Sequence, residues 1–337
     1  MNQKERVIAA LDLKKPDSIP IFEWAFDKEI MQKIIGKPDP IELVDKLDLD
    51  GIVVRPDYKR ELIDSSLYLD EWGCKKRKTG QFIDATVESP IKDIKEYKKY
   101  NFPNPNDDER FSSLENAVKK FQNSKAIILN IRDGFSDLRE LLGYEQALIS
   151  LVTDTDYVFQ FLEICNEYNL ALAEIAYKKF GVNIIVTTDD IADSRGLLFN
   201  PKYFFDFYGP GMRRFISRLK NNGFYYIKHC DGNIMQILDY LVLSRIDCID
   251  PIDPTGMELS FIKKKYGKQI CIKGNISCIT TLVDGSLEDV ENEVKECIKN
   301  AAYDGGYILS SSNSIHSGVN PDNFIKMIEC ARKYGKY

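Results

Sequence analysis

The stretch FYYIKHCDGNIMQILDYLVL, residues 224–243, decides the fold. Phe224–His229 is a short aromatic and apolar run of the kind that forms a buried strand, Gly232-Asn233 supplies a tight turn, and Ile234–Leu243 carries helical periodicity. A strand that passes directly into a helix is the repeating unit of a parallel sheet with helices on its faces. Seven further runs of this type precede or follow it: Ile19–Phe22, Gly51–Arg55, Ala126–Ile131, Asn183–Thr188, Ile246–Ile249, Gln269–Lys273 and Gly306–Ser311. AIILNI, NIIVTT and QICIKG among them are nearly continuous apolar stretches, as expected of strands covered on both faces rather than on alternate residues.

Helical segments with start and stop signals lie between them. Asn200-Pro201 opens one that runs to about Lys220, before Asn221-Asn222-Gly223; Ser286 precedes Leu287–Ala302, which stops at Asp304-Gly305-Gly306; Asn320-Pro321-Asp322 opens the last, to Lys333; and Thr153–Phe180 is a long helical pattern. The expectation is α/β, a single (β/α)8 TIM-type barrel over residues 1–337, with an amphipathic N-terminal helical segment beginning at Met1-Asn2-Gln3. Ser66–Ser89 departs from the alternation and reads as an inserted β-hairpin around Lys78-Thr79-Gly80. Tyr97–Glu109, rich in Asn, Pro and Asp, reads as the longest loop, and Phe204, Phe205, Phe207 and Tyr208 read as core at helical spacing.

Composition bounds the function. Apolar residues make up 44% and charged residues 29%, with a net charge of −6 and 46 basic residues spread along the chain, so there is no basic stripe for nucleic acid. Lys75-Lys76-Arg77-Lys78 and Lys263-Lys264-Lys265 are the only dense basic clusters, and each is read as solvated surface. No apolar run reaches the roughly 18 residues of a membrane span, and no signal peptide opens the chain. A cytoplasmic location is expected, with the eight scattered cysteines reduced and mostly buried.

Catalytic groups of a parallel barrel gather where strands end. The first polar residues past each run are Glu23, Arg55 with Asp57, Arg132 with Asp133, Asp189 with Asp190, His229 with Asp231, Asp250 with Asp253, Asn275, and Ser312 with Asn313. Any single Asp here could equally be a helix cap. The two histidines of the chain, His229 and His316, both follow strands. Residues i and i+2 of a strand share a side, so His229 and Asp231 can point together while Cys230 faces away. Such an H-x-D pair suits a metal site or an oriented acid–base couple; a structural histidine beside a capping Asp231 is the plainer alternative. G-x-G-x-x-G after a strand, the P-loop and the G-x-S-x-G elbow are all absent from the sequence.

Several separated segments resemble the uroporphyrinogen decarboxylase superfamily in order and spacing: KERVIAALDLKKPDSIPI (4–21), DEWGCKKRK (70–78), SPIKDIKEYKKYNFPNPND (89–107), DDIADSRGLLFNPKYFFDFYGPGMRRFI (189–216), IKHCDGNI (227–234), IKGNIS (272–277) and GGYILSSSNSI (305–315). The resemblance implies the same barrel. Its tetrapyrrole decarboxylases carry an arginine-rich segment after the first strand, where this chain reads Phe22-Glu23-Trp24-Ala25-Phe26, so decarboxylation is the secondary expectation and a ligand-binding barrel without chemistry a third. Its corrinoid-dependent methyltransferases bind zinc through H-x-C after the fifth strand and a cysteine after the eighth. His229 matches; Asp231 and Asn313 occupy the cysteine places, with Cys230 one residue out of register.

Oxygen and nitrogen ligands leave zinc a harder Lewis acid than thiolates do, suited to an ether oxygen. The resemblance therefore implies transfer of a methyl group between an oxygen-linked, methoxylated small molecule and cobalamin. His229 and Asp231 are the expected metal ligands, Glu23, Asp189 and Asp190 the expected catalytic groups, and Trp24, Asn313 and His316 the expected substrate contacts. The cobalamin is expected on a separate corrinoid protein, because D-x-H-x-x-G is absent here.

Overall fold

β-Branched and leucine-rich runs form the staves of one parallel sheet, in a computed structural model that describes residues 1–80 and 83–337. In chain order the strands are β1 (Gly51–Val54), β2 (Arg60–Leu62), β3 (Leu67–Asp70), β4 (Lys75–Arg77), β5 (Ala85–Glu88), β6 (Ala126–Arg132), β7 (Ile184–Thr188), β8 (Ala192–Asp193), β9 (Gly196–Leu197), β10 (Tyr225–His229), β11 (Cys248–Asp250), β12 (Cys271–Ile276) and β13 (Tyr307–Ser311). Seven of them pair in parallel in the order β1-β6-β7-β10-β11-β12-β13. They correspond to seven of the eight expected runs, with ends shifted by up to three residues.

The eighth run, Ile19–Phe22, is not a regular strand. Pro20 has no N–H to give to a ladder. The segment nevertheless bonds to both edges of the sheet: Ile21 bridges Leu309 in parallel, the Leu309 N–H donates to Pro20 O at 3.0 Å, and the Asp50 N–H, just before β1, donates to Ile21 O at 2.8 Å. The buried Asp50 carboxylate accepts the Ile21 N–H in return and pairs with Arg6 and Arg332.

Strand alternation sorts side chains into two apolar clusters. Ile128, Val186, Ile227 and Ile308 face inward, together with Ala126, Ile184, Cys248 and Cys271 from the first positions of their strands. The helix Gln3–Leu11 adds Val7, Ala10 and Leu11 to that cluster, capped at its start by Asn2 and Glu5 in a capping box. The opposite strand faces, with Ile127, Leu129, Ile185, Tyr226, Ile249 and Ile272, pack against the surrounding helices. All eight cysteines are free and buried, as expected.

Three expectations need correction. Ser66–Ser89 is part of a four-stranded antiparallel sheet, β2-β3-β4-β5, rather than a lone hairpin around Lys78-Thr79-Gly80; Gln81 and Phe82 lie outside the described residues. A two-stranded ribbon is marginal by itself, and the added strands let one face pack on the protein. Lys76 and Lys263 are buried ion-pair members, not solvated: Lys76 meets Glu140 of the helix Gly134–Leu142 and Lys263 meets Asp304 at 2.7 Å. The helix from Pro201 is interrupted by a π-turn at Phe204–Tyr208 before Gly209–Asn221, which buries Phe204 and Tyr208 but leaves Phe205 exposed. The long helical pattern expected over Thr153–Phe180 is present as one helix, Thr155–Phe180, preceded by a separate helix, Tyr144–Thr153.

Candidate metal centre

β10 ends with Tyr225, Ile227 and His229 on its inward face, and Asp231 continues that side into the loop. Cys230 is turned away and fully buried. The register pairs His229 with Asp250 of β11, so the next strand delivers a carboxylate directly beside the ring. Nδ1 of His229 lies 3.2 Å from Asp250 Oδ2, and Lys273 of β12 donates to the other oxygen, Oδ1, at 2.7 Å. Burial disfavours the Asp250 anion, but Lys273 and His229 outweigh it and hold the carboxyl down at about 2. A permanent anion at Nδ1 fixes the proton there and turns Nε2 outward as the free donor. Burial alone would lower the His229 pKa; the bond and charge of Asp250 reverse that and leave it raised.

Nε2 faces Asp231 Oδ1 at 3.6 Å. Asp231 Oδ2 accepts from Asn313 Nδ2 at 2.5 Å, while Oδ1 is buried with no hydrogen-bond partner. A carboxylate oxygen left in that state is costly unless a cation completes it. Asp190, inward on the loop after β7, brings the third donor: one atom each from Asp190, His229 and Asp231 lies within 4.8 Å of the others. Arg139 holds Asp190 from the side at 3.4 Å. Tetrahedral zinc with nitrogen and oxygen ligands at 2.0–2.2 Å needs neighbouring donors roughly 3.3–3.6 Å apart, so the His229–Asp231 pair is spaced for one ion. The donor set fits a hard or borderline divalent cation.

Trp24 stacks on His229, with ring centroids 4.4 Å apart and planes 15° from parallel. Glu23 is fully buried beside β13, where its carboxylate accepts from Ser311 N at 3.0 Å and from Ser311 Oγ at 2.6 Å. Burial pushes its carboxyl up to about 7, against the pull of Lys273. Asp189 points away from the cluster into a closed network, accepting from Ser136 N at 2.8 Å and from Tyr208, with Lys228 Nζ at 3.4 Å; burial raises it to about 7. His316 is likewise apart. Its Nε2 is bonded to Cys278 O at 2.7 Å and its Nδ1 accepts from Gly318 N at 3.1 Å, so both nitrogens staple a loop.

Of the sequence-derived candidates, the structure thus gathers His229, Asp231, Asp190, Trp24 and Asn313, places Glu23 nearby, and sets Asp189 and His316 aside. Asp250, Lys273 and Arg139 carry support that the sequence reading did not assign. Asp250 stood among the strand-end acids; only the register of β10 with β11 marks it as the partner of His229.

The family described as Uroporphyrinogen decarboxylase (URO-D) matches residues 63–334. The chain belongs to that family. Among curated proteins it is similar to the methylated-thiol–coenzyme M methyltransferase of Methanosarcina mazei, 22% identical over 186 residues, which cover 55% of this chain and 48% of that protein. The chain therefore matches about half the length of that relative. Among solved structures, a methyltransferase from Methanosarcina mazei superposes with a TM-score of 0.78 over 99% of both chains at 17% identity, which establishes the shared fold. No helix among the described residues is long and apolar enough to cross a membrane.

Proposed function

We propose that this family member is a methyltransferase that moves a methyl group between an oxygen-linked, methoxylated small molecule and the cobalamin of a separate corrinoid protein, assisted by zinc. The observation that carries the reading is the Asp190–His229–Asp231 cluster, with its buried and unpartnered carboxylate oxygen, at the mouth of an inward-facing strand set. Residues 1–337 are read as one (β/α)8 domain, with Ile19–Phe22 as the eighth stave. Similarity to methyltransferases supports the reaction class.

When bound, zinc would supply Lewis acidity to the ether oxygen that leaves when the methyl carbon passes to cobalt. The protein's own groups hold and orient. His229, kept in one tautomer by Asp250, and Asp231, held by Asn313, present fixed donors, and Asp190 completes the set from the neighbouring loop after β7. Trp24 restrains the imidazole plane. Glu23, with a carboxyl at about 7, can hold a proton near neutral pH for exchange with the released oxygen. Asp189 and His316 are assigned to the scaffold. No Ser or Cys nucleophile is required, because the attacking atom belongs to the partner.

The experiment is metal analysis of purified wild type and His229→Ala, joined to a screen of methyl ethers with reduced cobalamin and with a corrinoid protein. Stoichiometric zinc that is lost in the variant, together with methylcobalamin formation, is expected. A metal-free wild type that releases CO2 from a porphyrinogen would overturn the reading in favour of decarboxylation.

A further inference from the structure

The helix layer outside the sheet carries a groove of about 750 Å³, lined by residues of the helices Gly209–Asn221 and Met235–Leu243. Pro210, Arg213 and Ser217 recur at helical spacing and share one face, with Arg214 and Arg218 in the adjoining row. Tyr240 reaches in from the second helix. Gly209 admits it, since a Cβ there would stand 3.0 Å from the Tyr240 ring. Phe205 comes from the π-turn Phe204–Tyr208, which buries Phe204 but leaves Phe205 42% exposed on the groove. A single π-turn inside a helix is rare and occurs frequently at functional sites.

The three arginines are answered differently. Arg214 pairs with Glu163 at 2.7 Å and Arg218 pairs with Glu167, in exposed contacts that hold each side chain only loosely. Arg213 has no carboxylate partner among the described residues. Its Nε donates to Ser244 Oγ at 3.2 Å and its guanidinium sits 4.3 Å from the Tyr240 ring centroid, which leaves Nη1 and Nη2 uncommitted on an exposed side chain. One helical turn further on, the half-buried Ser217 hydroxyl also has no hydrogen-bond partner among the described residues.

A free guanidinium edge, a free hydroxyl and two loosely paired arginines on one groove suit the several oxygens of a phosphate, which guanidinium groups take through parallel hydrogen bonds. A carboxylate would occupy Arg213 alone. The exposed Phe205 ring, 5.9 Å from Tyr240 between centroids, adds an aromatic surface beside these donors. Aromatic rings and arginine planes are the surfaces on which nucleobases stack. We propose that this groove binds a nucleotide, with its phosphate on Arg213, Ser217 and the two paired arginines and its base against Phe205. The site lies on the outer helices and is independent of the methyltransferase reading.

The test is titration calorimetry on the full chain with AMP, GMP, CMP and UMP, each beside its own nucleoside, and with ribose 5-phosphate. At least one nucleotide should bind about 10-fold or more tightly than its nucleoside and than ribose 5-phosphate. Arg213→Gln should weaken that nucleotide about 10-fold or more. Phe205→Ala should lower its affinity toward that of ribose 5-phosphate and leave ribose 5-phosphate itself unchanged. Both side chains are exposed, so circular dichroism and zinc content should match wild type in each variant. Absence of nucleotide binding, equal affinity for nucleotide and ribose 5-phosphate, or nucleotide affinity unaltered by Arg213→Gln would each overturn the proposal. Nucleotide affinity unaltered by Phe205→Ala would remove the base platform and with it the assignment to a nucleotide. Nucleotide binding lost in His229→Ala would put the ligand at the mouth of the sheet and overturn the proposal as well.

Discussion

Asn313 donates its amide N–H to Asp231 Oδ2 at 2.5 Å across 82 residues of chain, and so aims the other carboxylate oxygen, Oδ1, toward His229. The resemblance of the sequence implies cysteines at both of these positions. On the proposed reading the pair here is one ligand and its support, not two ligands. Removing the support with Asn313→Ala should weaken zinc binding by about 10–100-fold while leaving the far-ultraviolet circular dichroism unchanged. Competition with a chromophoric chelator reads this directly, and an unaltered affinity would show that Asp231 needs no such anchor.

Asp250 acts on His229 and on Lys273 at once, so Asp250→Asn should have two separable effects. Without the anion at Nδ1 the imidazole loses its fixed tautomer, and metal affinity should fall by about 10–100-fold. Lys273, whose side chain is buried, would also lose its ion-pair partner, at a cost of about 3–5 kcal/mol in urea unfolding of the metal-free protein. The double variant Asp250→Asn, Lys273→Met should recover much of the stability and none of the affinity.

Lys228 lies behind the sheet with Asp133 at 2.7 Å and Asp189 at 3.4 Å, all buried. Lys228→Met should cost about 3–5 kcal/mol because two buried acids lose their cation. Zinc stoichiometry of the folded fraction should stay at the wild-type value. Loss of zinc from folded Lys228→Met would place Asp189 in the metal centre after all.

Glu23 makes the folded state hold a proton that the unfolded chain gives up. Its pKa is about 7 in the fold against 4.5 ordinarily, so between those values the native state binds more protons and stability falls as pH rises through the window. Glu23→Gln removes that titration. Relative to wild type, the variant should gain about 2–3 kcal/mol between pH 5 and pH 8 in chemical denaturation. A constant difference across that range would mean the carboxyl titrates normally.

Glu140 has the opposite sign. Burial opposes its ionisation, but Arg132 and Lys76 overcome that and bring the carboxyl down to about 2. The stability it contributes is present above about 4.5 and is lost as pH falls toward 2. Glu140→Gln should therefore be less stable than wild type by about 2–3 kcal/mol at pH 7, with the gap closing toward pH 2–3 in thermal unfolding.

Much of this was readable from local pattern. Phe224–His229 followed by Gly232-Asn233 announced a strand and its turn, and the two-residue period put His229 and Asp231 on one side and Cys230 on the other, as the structure has them. Lys76 and Lys263 were misjudged as solvated, because composition cannot tell a lysine on a free face from one opposite Glu140 or Asp304. His316 is one of two histidines and follows a strand, yet its nitrogens are consumed by backbone groups that only the folded loop brings near.

Periodicity and turn chemistry are local, so the sequence by itself determined the alternation of strands and helices, the inward parity of His229 and Asp231, and the family's segment order. Which acid stands beside His229 and which amide grips Asp231 were decided only by strand register and tertiary packing. Those contacts join residues from 21 to 82 positions apart, and their distances follow from how neighbouring strands are aligned, a quantity no short window of sequence contains.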